Sequence, residues 1–281
     1  MENIFTFKKN IESLLSGFDP DILQYQKDEF WLVQSVYEHI EFYAARRSLR
    51  NTAIALPLTR GLHDGTYRKS KLERNGIIYK QPYLIHPLRV TEMLVDLRLP
   101  LPAEYEDILL AASMCHDLIE DIPFANHGRE LYETFQMDPR VYETVKKVSK
   151  RKDFTPEEEN AFFHGIESDR LALLIKLSDR CNNVEDLYNM KVWKVHEYVG
   201  ETRSRYLPMI EYGMRQYPEL YLTLEILRDH IVSLTKAADI LADRYQEREL
   251  EIEKELSQLQ EENHALRNTW QTLWNTESED K

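Results

Sequence analysis

Four short segments constrain this chain more than anything else in it: His86-Pro87-Leu88, His116-Asp117, Glu120-Asp121, and Lys176-Leu177-Ser178-Asp179 followed by Asn183. Each lies in or against an apolar helical run. Ile108, Leu109, Ala111, Ala112 and Cys115 lead into His116, while Leu171, Leu173, Leu174, Ile175 and Leu177 lead to Asp179. Imidazoles and carboxylates in such surroundings are costly to bury unless they are paired or coordinate a cation. The fold must therefore gather them around a charge. His86, His116, Asp117 and Asp179 together supply two imidazoles and two carboxylates. That donor set suits a hard or borderline divalent ion such as Mn, Fe, Co or Zn and leaves positions for water and substrate. The chemistry expected there is hydrolysis of a phosphoryl or pyrophosphoryl ester, with Glu120 or Asp121 free to take a proton from the attacking water.

With 281 residues, of which 42% are hydrophobic, the chain has ample material for a core and cannot be read as disordered. Only 8 Gly and 11 Pro interrupt it, no Gly follows Gly213, and no segment alternates polar and apolar residues for long. Strands thus have little support, and an all-α fold is expected. The net charge of −13, with no basic stripe, predicts no nucleic-acid and no membrane partner. It does not exclude a phosphorylated small molecule, because a bound cation is usually the largest charge in its site. Glu2, Lys8, Lys9, Asn10 and Glu12 interrupt the start, which then resembles neither a secretory signal nor a membrane span and predicts a cytoplasmic protein. Cys115 and Cys181, far apart and outside any CxxC, read as reduced core residues.

Three regions are expected: an N-terminal helical extension over 1–54, a catalytic domain over 55–225, and a C-terminal helix over 226–281. Ile11, Leu14 and Leu15, then Phe30, Leu32, Val33, Val36, Tyr37, Ile40 and Tyr43, recur at helical spacing in the first region. Residues 61–82 are basic and read as a loop. Pro87 suits the first position of a helix that places His86 at its entrance. The next helix is expected to run from Ile108 to near Pro123, so that His116 and Glu120, and likewise Asp117 and Asp121, share faces a turn apart. Asp179 and Asn183 share a face in the same way. The segment 151–160 reads as a charged connection with a helix start at Thr155-Pro156. From Leu227 onward, apolar residues repeat at 3-4 spacing through Ile231, Leu234, Ala238, Leu241 and Tyr245, then Ile252, Leu256, Leu259, Leu266, Trp270 and Leu273, with an irregularity near Arg248 and Asn263 in the seam. This heptad pattern fits either a homo-oligomer formed through the helix or a helix folded back on its own domain. Residues 246–281 hold ten acidic and four basic side chains, so much of the net charge belongs to that helix surface.

The order His, His-Asp, Glu-Asp, Asp resembles the HD superfamily of metal-dependent phosphohydrolases, and the details resemble its stringent-response alarmone hydrolases. The similarity rests on His63-x-Gly65-x-x-Arg68-Lys69, on Pro82-Tyr83-x-x-His86-Pro87, on His116 to Asp121, and on Lys176 to Asn183, and it covers roughly residues 55–190. It implies an HD-domain helical bundle in which His86, His116, Asp117 and Asp179 bind Mn2+, or another divalent ion, while Glu120 and Asp121 act on the water. It further implies that Arg68 and Lys69 meet the guanine nucleotide or its phosphates and that Asn183 contacts the ribose side. The implied reaction removes pyrophosphate from the 3′ position of (p)ppGpp to return GDP or GTP. The chain departs from the family pattern in a longer Ser70–Gln81 stretch, in Thr66 for a common Gln, and in Glu185 for a common Arg. Those departures leave a second reading open, an HD phosphohydrolase acting on a nucleoside monophosphate, NADPH or an adenosine alarmone. A third is a non-catalytic HD scaffold. No synthetase domain is recognisable after Asp179.

Overall fold

Two helices that are buried on nearly every side organise the bundle. The computed structural model describes residues 20–68, 72–74, 77–79, 81–121, 128–151 and 153–279. Twelve helices run through them: α1 (Pro20–Arg47), α2 (Arg50–Leu62), α3 (Ile85–Asp96), α4 (Ala103–Cys115), α5 (Leu118–Asp121), α6 (Gly128–Thr134), α7 (Pro139–Val148), α8 (Pro156–Glu167), α9 (Arg170–Glu185), α10 (Val192–Glu201), α11 (Leu207–Gln216) and α12 (Tyr221–Glu279). The fold is all-α, with a long C-terminal helix. The expected helix carrying Ile11, Leu14 and Leu15 lies outside the described residues, as does Lys69.

Every residue of α4 from Glu106 to Cys115 is buried, which is why its sequence is apolar all round rather than on one stripe. It packs against α2, α3 and α7, and α9 packs against α3, α7 and α8 on one side and α12 on the other. Polar groups inside this core are spent on helix ends. Leu49, at the head of α2, offers no side-chain cap. Asp107 of α4 replaces it, accepting from the backbone amides of Asn51 at 2.9 Å and Thr52 at 2.8 Å. The orphan amides of one helix are thereby satisfied by a carboxylate of another, which locks α2 onto α4. Asp169 caps α9 within its own chain segment, accepting from Leu171 at 2.9 Å and Ala172 at 3.2 Å. Thr155 and Glu158 form a reciprocal capping box with Pro156 in the first turn, so α8 begins where the sequence places it.

Three local features differ from the sequence reading. Within the stretch read as loop, Leu72–Arg74 (β1) pairs antiparallel with Ile77–Tyr79 (β2), and the pairing resumes below at Tyr67 and Pro82. Two strands of three residues flank an Asn75-Gly76 dipeptide, a hairpin signal that the surrounding charge concealed. At the base of the hairpin, Gly65 takes φ +71°, a left-handed conformation open to glycine at little cost. Second, α3 begins at Ile85, so Pro87 is its third residue and His86 lies inside the first turn. Proline is tolerated there because amides of the first turn lack intrahelical partners. Third, α4 stops at Cys115 and α5 restarts at Leu118, so His116 and Asp117 sit in a turn and not on one continuous helix. The His116 ring bonds the Ser113 carbonyl at 2.7 Å, the acceptor that the Asp117 amide would use in an unbroken helix.

The C-terminal helix divides in two by environment. Leu224, Leu227 and Ile231 enter the main core, and Ala242 packs with Val195 and Val199 of α10. From Asp243 to Trp270 every residue of α12 is exposed.

Two expectations follow for stability. Replacing Asp169 with Ala removes the α9 cap and should lower unfolding free energy by about 1 kcal/mol, read from thermal or urea unfolding at neutral pH. Burial alone would raise the Asp169 carboxyl, but the Lys147 ammonium and the two capping amides hold it below its ordinary value. Its contribution is therefore present above the ordinary aspartate value of about 3.9 and lost as pH falls through the lower folded value, so the gap between wild type and Asp169→Ala should close in acid. A Cβ at Gly213 of α11 would stand 2.5 Å from Leu173 Cδ2 and 3.1 Å from Leu224 Cδ1. Gly213→Ala should accordingly destabilise by about 1–3 kcal/mol through overpacking; a melting temperature equal to wild type would contradict the close approach of α11 to α9 and α12.

Candidate metal centre and its cavity

The ends of three core elements meet at one point. α3 contributes His86 from its first turn, the turn after α4 contributes His116 and Asp117, and the middle of α9 contributes Asp179. One donor atom each from His86, His116 and Asp179 lies within 4.8 Å of the others, and all three residues are buried. His86 Nε2 is 3.3 Å from His116 Nε2, 3.2 Å from Asp179 Oδ1 and 3.4 Å from Asp117 Oδ2. Asp117 Oδ1 is 3.3 Å from His116 Nε2. The structure thus brings together all four residues expected as ligands from the sequence.

The second nitrogen of each imidazole is already committed. His116 Nδ1 donates to the Ser113 carbonyl, which turns Nε2 toward the cluster. His86 Nδ1 bonds the Asn182 side-chain oxygen at 2.6 Å to the same effect. Both rings therefore turn Nε2 toward a shared point flanked by carboxylates, which is how a divalent-cation site orients its histidines. The donor chemistry fits such an ion.

Surrounding charges bias these groups strongly. Burial disfavours an imidazolium at His116, yet Asp117 and Asp179 outweigh it and raise the ring to about 9. Burial likewise works against an ionised Asp179, but the Lys176 ammonium at 3.0 Å and the two imidazoles hold its carboxyl well below the usual range. Tyr83 donates to Asp117 Oδ2 at 2.5 Å, and its ring stacks on His63 with centroids 4.6 Å apart. Glu120 accepts from the Lys150 amide at 2.5 Å. Burial nevertheless raises its carboxyl, and the negative Asp117 and Asp179 add to the rise. A carboxyl raised in this way accepts a proton more readily than an ordinary glutamate.

The cluster opens into a cavity of about 510 Å³ that also includes Glu120, Asp121, Arg68, Lys176, Asn183, Asp186, Tyr198 and Tyr206 in its walls. That volume suits a ligand of nucleotide size. Arg68 Nη2 reaches Asn183 Oδ1 at 3.1 Å and Asp186 Oδ2 at 2.8 Å, and Asn183 Nδ2 donates to Asp179 Oδ1 at 2.5 Å. Of the residues expected from the sequence, those that are described line this one space or its floor, and Lys69 lies outside the described residues. Sequence reasoning gave no role to Tyr83, a fixed position of one motif block, or to Asn182, which lies inside another. It also missed Tyr198 and Tyr206, which flank the buried Arg180 guanidinium at 4.0 and 3.7 Å from their ring centroids. A π-helical turn at Thr202–Tyr206 brings Tyr206 to the wall, and nothing in the local sequence marks it.

An α-helical bundle with a His–His–Asp cluster at the floor of a nucleotide-sized cavity fits a metal-dependent hydrolase. Relatives narrow that class. No family model matches the chain. It is 26% identical over 187 residues to the bifunctional (p)ppGpp synthase/hydrolase SpoT of Escherichia coli strain K12, an alignment covering 64% of this chain and 24% of that protein. It is 31% identical over 132 residues to the guanosine-3′,5′-bis(diphosphate) 3′-pyrophosphohydrolase of Aquifex aeolicus, covering 46% of this chain and 18% of the relative. With the GTP pyrophosphokinase of Myxococcus xanthus it shares 29% over 157 residues, 53% of this chain and 18% of the relative. The chain spans about a quarter or less of the length of these curated relatives. It resembles the HD-domain hydrolases of the stringent response.

The hydrogen bonds behind the ligands generate a test. Asn182→Ala and Tyr83→Phe should each weaken divalent-cation binding about 10–100-fold, measured by calorimetry or by competition with a chelating dye, while circular dichroism stays unchanged. Unaltered affinity in both variants would show that these residues do not orient the ligands.

Proposed function

We propose that this protein is a Mn2+-dependent hydrolase that removes pyrophosphate from the 3′ position of (p)ppGpp. The observation that carries the reading is the buried cluster of His86, His116 and Asp179, with the part-buried Asp117 beside it, at the floor of a cavity that also contains Glu120, Arg68 and Lys176. The printed activities of the relatives supply the substrate class. His86, His116, Asp117 and Asp179 would hold the ion, which would lower the pKa of a water and polarise the phosphoryl group. Another divalent metal with the same preference for nitrogen and oxygen donors would serve the same site.

The remaining roles belong to the chain's own side chains. Glu120, fixed by the Lys150 amide and with a raised carboxyl, accepts a proton from the attacking water, and Asp121 beside it shares that task. The water oxygen bonds to the phosphorus attached to O3′, the O3′–P bond breaks, and O3′ leaves as a hydroxyl after taking up a proton. The products are pyrophosphate and GDP or GTP. Arg68 and Asn183 form one wall, where they are placed to hold the nucleotide and its ribose. The family resemblance implies that Lys69, with Arg68, meets the guanine nucleotide or its phosphates. Burial disfavours the Lys176 ammonium, but Asp179 and Glu120 keep it charged, and it offsets part of the negative field that would repel a polyphosphate.

Incubation of purified protein with ppGpp and Mn2+ should release GDP and pyrophosphate in equal amounts. Absence of both products, or release of orthophosphate from nucleoside monophosphates or NADPH instead, would remove the alarmone assignment. Asp117→Ala should lose metal and turnover together. Glu120→Gln should retain the metal and lower kcat by about 10²–10⁴-fold, and equal metal loss in both variants would overturn this division of roles.

A further inference from the structure

We infer that the free half of α12 is the seam of a parallel, in-register two-stranded coiled coil formed with a second copy of this chain. The first observation is continuity. Leu224, Ile231, Ala238, Tyr245, Ile252, Leu259 and Leu266 succeed one another at intervals of seven along a single unbroken helix. The early members are covered by the protein's own body, Leu224 and Ile231 being fully buried. The same stripe then runs past Ala242 with none of the described residues covering it: Leu259 and Leu266 are each 63% exposed and Trp270 is 69% exposed. A helix that spends half its stripe on its own core and leaves the rest bare at unchanged phase requires a second surface of the same geometry. A matching helix is the one that fits.

The pattern of the free half selects that helix. With Ile252, Leu259 and Leu266 at d, Leu256, Asn263 and Trp270 fall at a. In a parallel pair each a residue meets its own copy, so Asn263 faces Asn263 and the two amides can bond across the seam. In an antiparallel pair a faces d, and Asn263 would lie unsatisfied against an aliphatic side chain. The flanking charges agree. A parallel register sets each g residue beside the e residue five positions later on the partner. Arg248 then faces Glu253 and Glu262 faces Arg267, while Glu255 faces the neutral Gln260, so no like charges meet at these g–e pairs; Glu249, at a, meets its own copy at the end of the seam nearest the body, with Arg248 beside it. The outer face is strongly acidic, with ten acidic against four basic residues over 246–281. It would be repelled by anionic lipid or nucleic acid, which leaves a protein helix as the occupant.

The test uses the full chain. Sedimentation equilibrium or light scattering at micromolar concentration should give twice the chain mass, and Leu259→Asp should return it to the single-chain mass with the Mn2+-binding isotherm unchanged. Asn263→Cys should form a disulfide-linked dimer under mild oxidation, reversed by reductant; the native Cys115 and Cys181 are both buried. A single-chain mass for the wild type, or a dimer that survives Leu259→Asp, would overturn the proposal. So would a dimer whose Asn263→Cys form fails to cross-link, since that outcome excludes the parallel register. Capture of a different helical partner by a chain that stays monomeric alone would equally count against it. None of these readouts depends on the substrate, so failure here and failure of the hydrolase assignment are distinguishable.

Discussion

The rest of the structure depends on one constraint: two buried imidazoles, the buried Asp179 carboxylate and the part-buried Asp117 carboxylate must share a space only a few ångströms wide. Such a cluster removes charged groups from water, and their desolvation is repaid only when partners satisfy every remaining polar atom. Here each member has one. His86 leans on Asn182, His116 on the Ser113 carbonyl, Asp117 on Tyr83, and Asp179 on Lys176 and Asn183. These partners come from the hairpin base, from α4 and from α9, so the bundle must close before the cluster is complete. Burial of Ile108 to Cys115 and Leu171 to Ile175 supplies the driving force, because α4 and α9 are apolar on nearly every face and have nowhere else to pack. The break at His116 is part of the same constraint, since an unbroken helix would take the Ser113 carbonyl away from the imidazole.

Charge is distributed with comparable economy. The protein is acidic overall, yet Arg68 and Lys176 are the two Lys or Arg side chains among the described residues of the cavity wall. Five carboxylates share that space with them, at Asp117, Glu120, Asp121, Asp179 and Asp186. The net negative charge says little about what the cavity accepts, because much of it sits on the exposed part of α12, far along a helix of 59 residues. At the distances involved, solvent and salt screen that remote charge while the buried groups feel one another with little attenuation.

Much of this was legible in the amino-acid order, and for a physical reason. A polar pair set in a Leu/Ala run has few explanations, so His116, Asp117 and Asp179 announce themselves, and the 3-4 spacing of Asp179 and Asn183 correctly places both on one face. What stayed hidden depends on tertiary contact or on competition between local rules. Asp107 caps a helix 55 residues earlier in the chain, which no local pattern encodes. Tyr206 reaches the cavity only because a π-helical turn rotates it there. The hairpin at 72–79 was masked by its charged neighbours, although Asn75-Gly76 carried the turn signal. The heptad pattern posed a choice between packing inward and packing outward, and α12 resolves it by packing inward through Ala242 and leaving the later repeats exposed.

The link between the cavity wall at Arg68 and the cluster is continuous. Asp186 and Asn183 share Arg68, and Asn183 in turn bonds Asp179, so a polar chain runs from the wall of the cavity to one of its deepest carboxylates. An anionic group arriving at Arg68 must either share the guanidinium with Asp186 or displace it. A phosphoryl group carries more charge and more acceptor oxygens than a carboxylate and competes well for a planar donor fork. Displacing Asp186 need not disturb Asn183, because the amide uses its oxygen toward Arg68 and its nitrogen toward Asp179. The geometry therefore lets the wall exchange partners while the floor keeps its shape, which is what a site needs if ligand capture is not to unseat the groups that act on it.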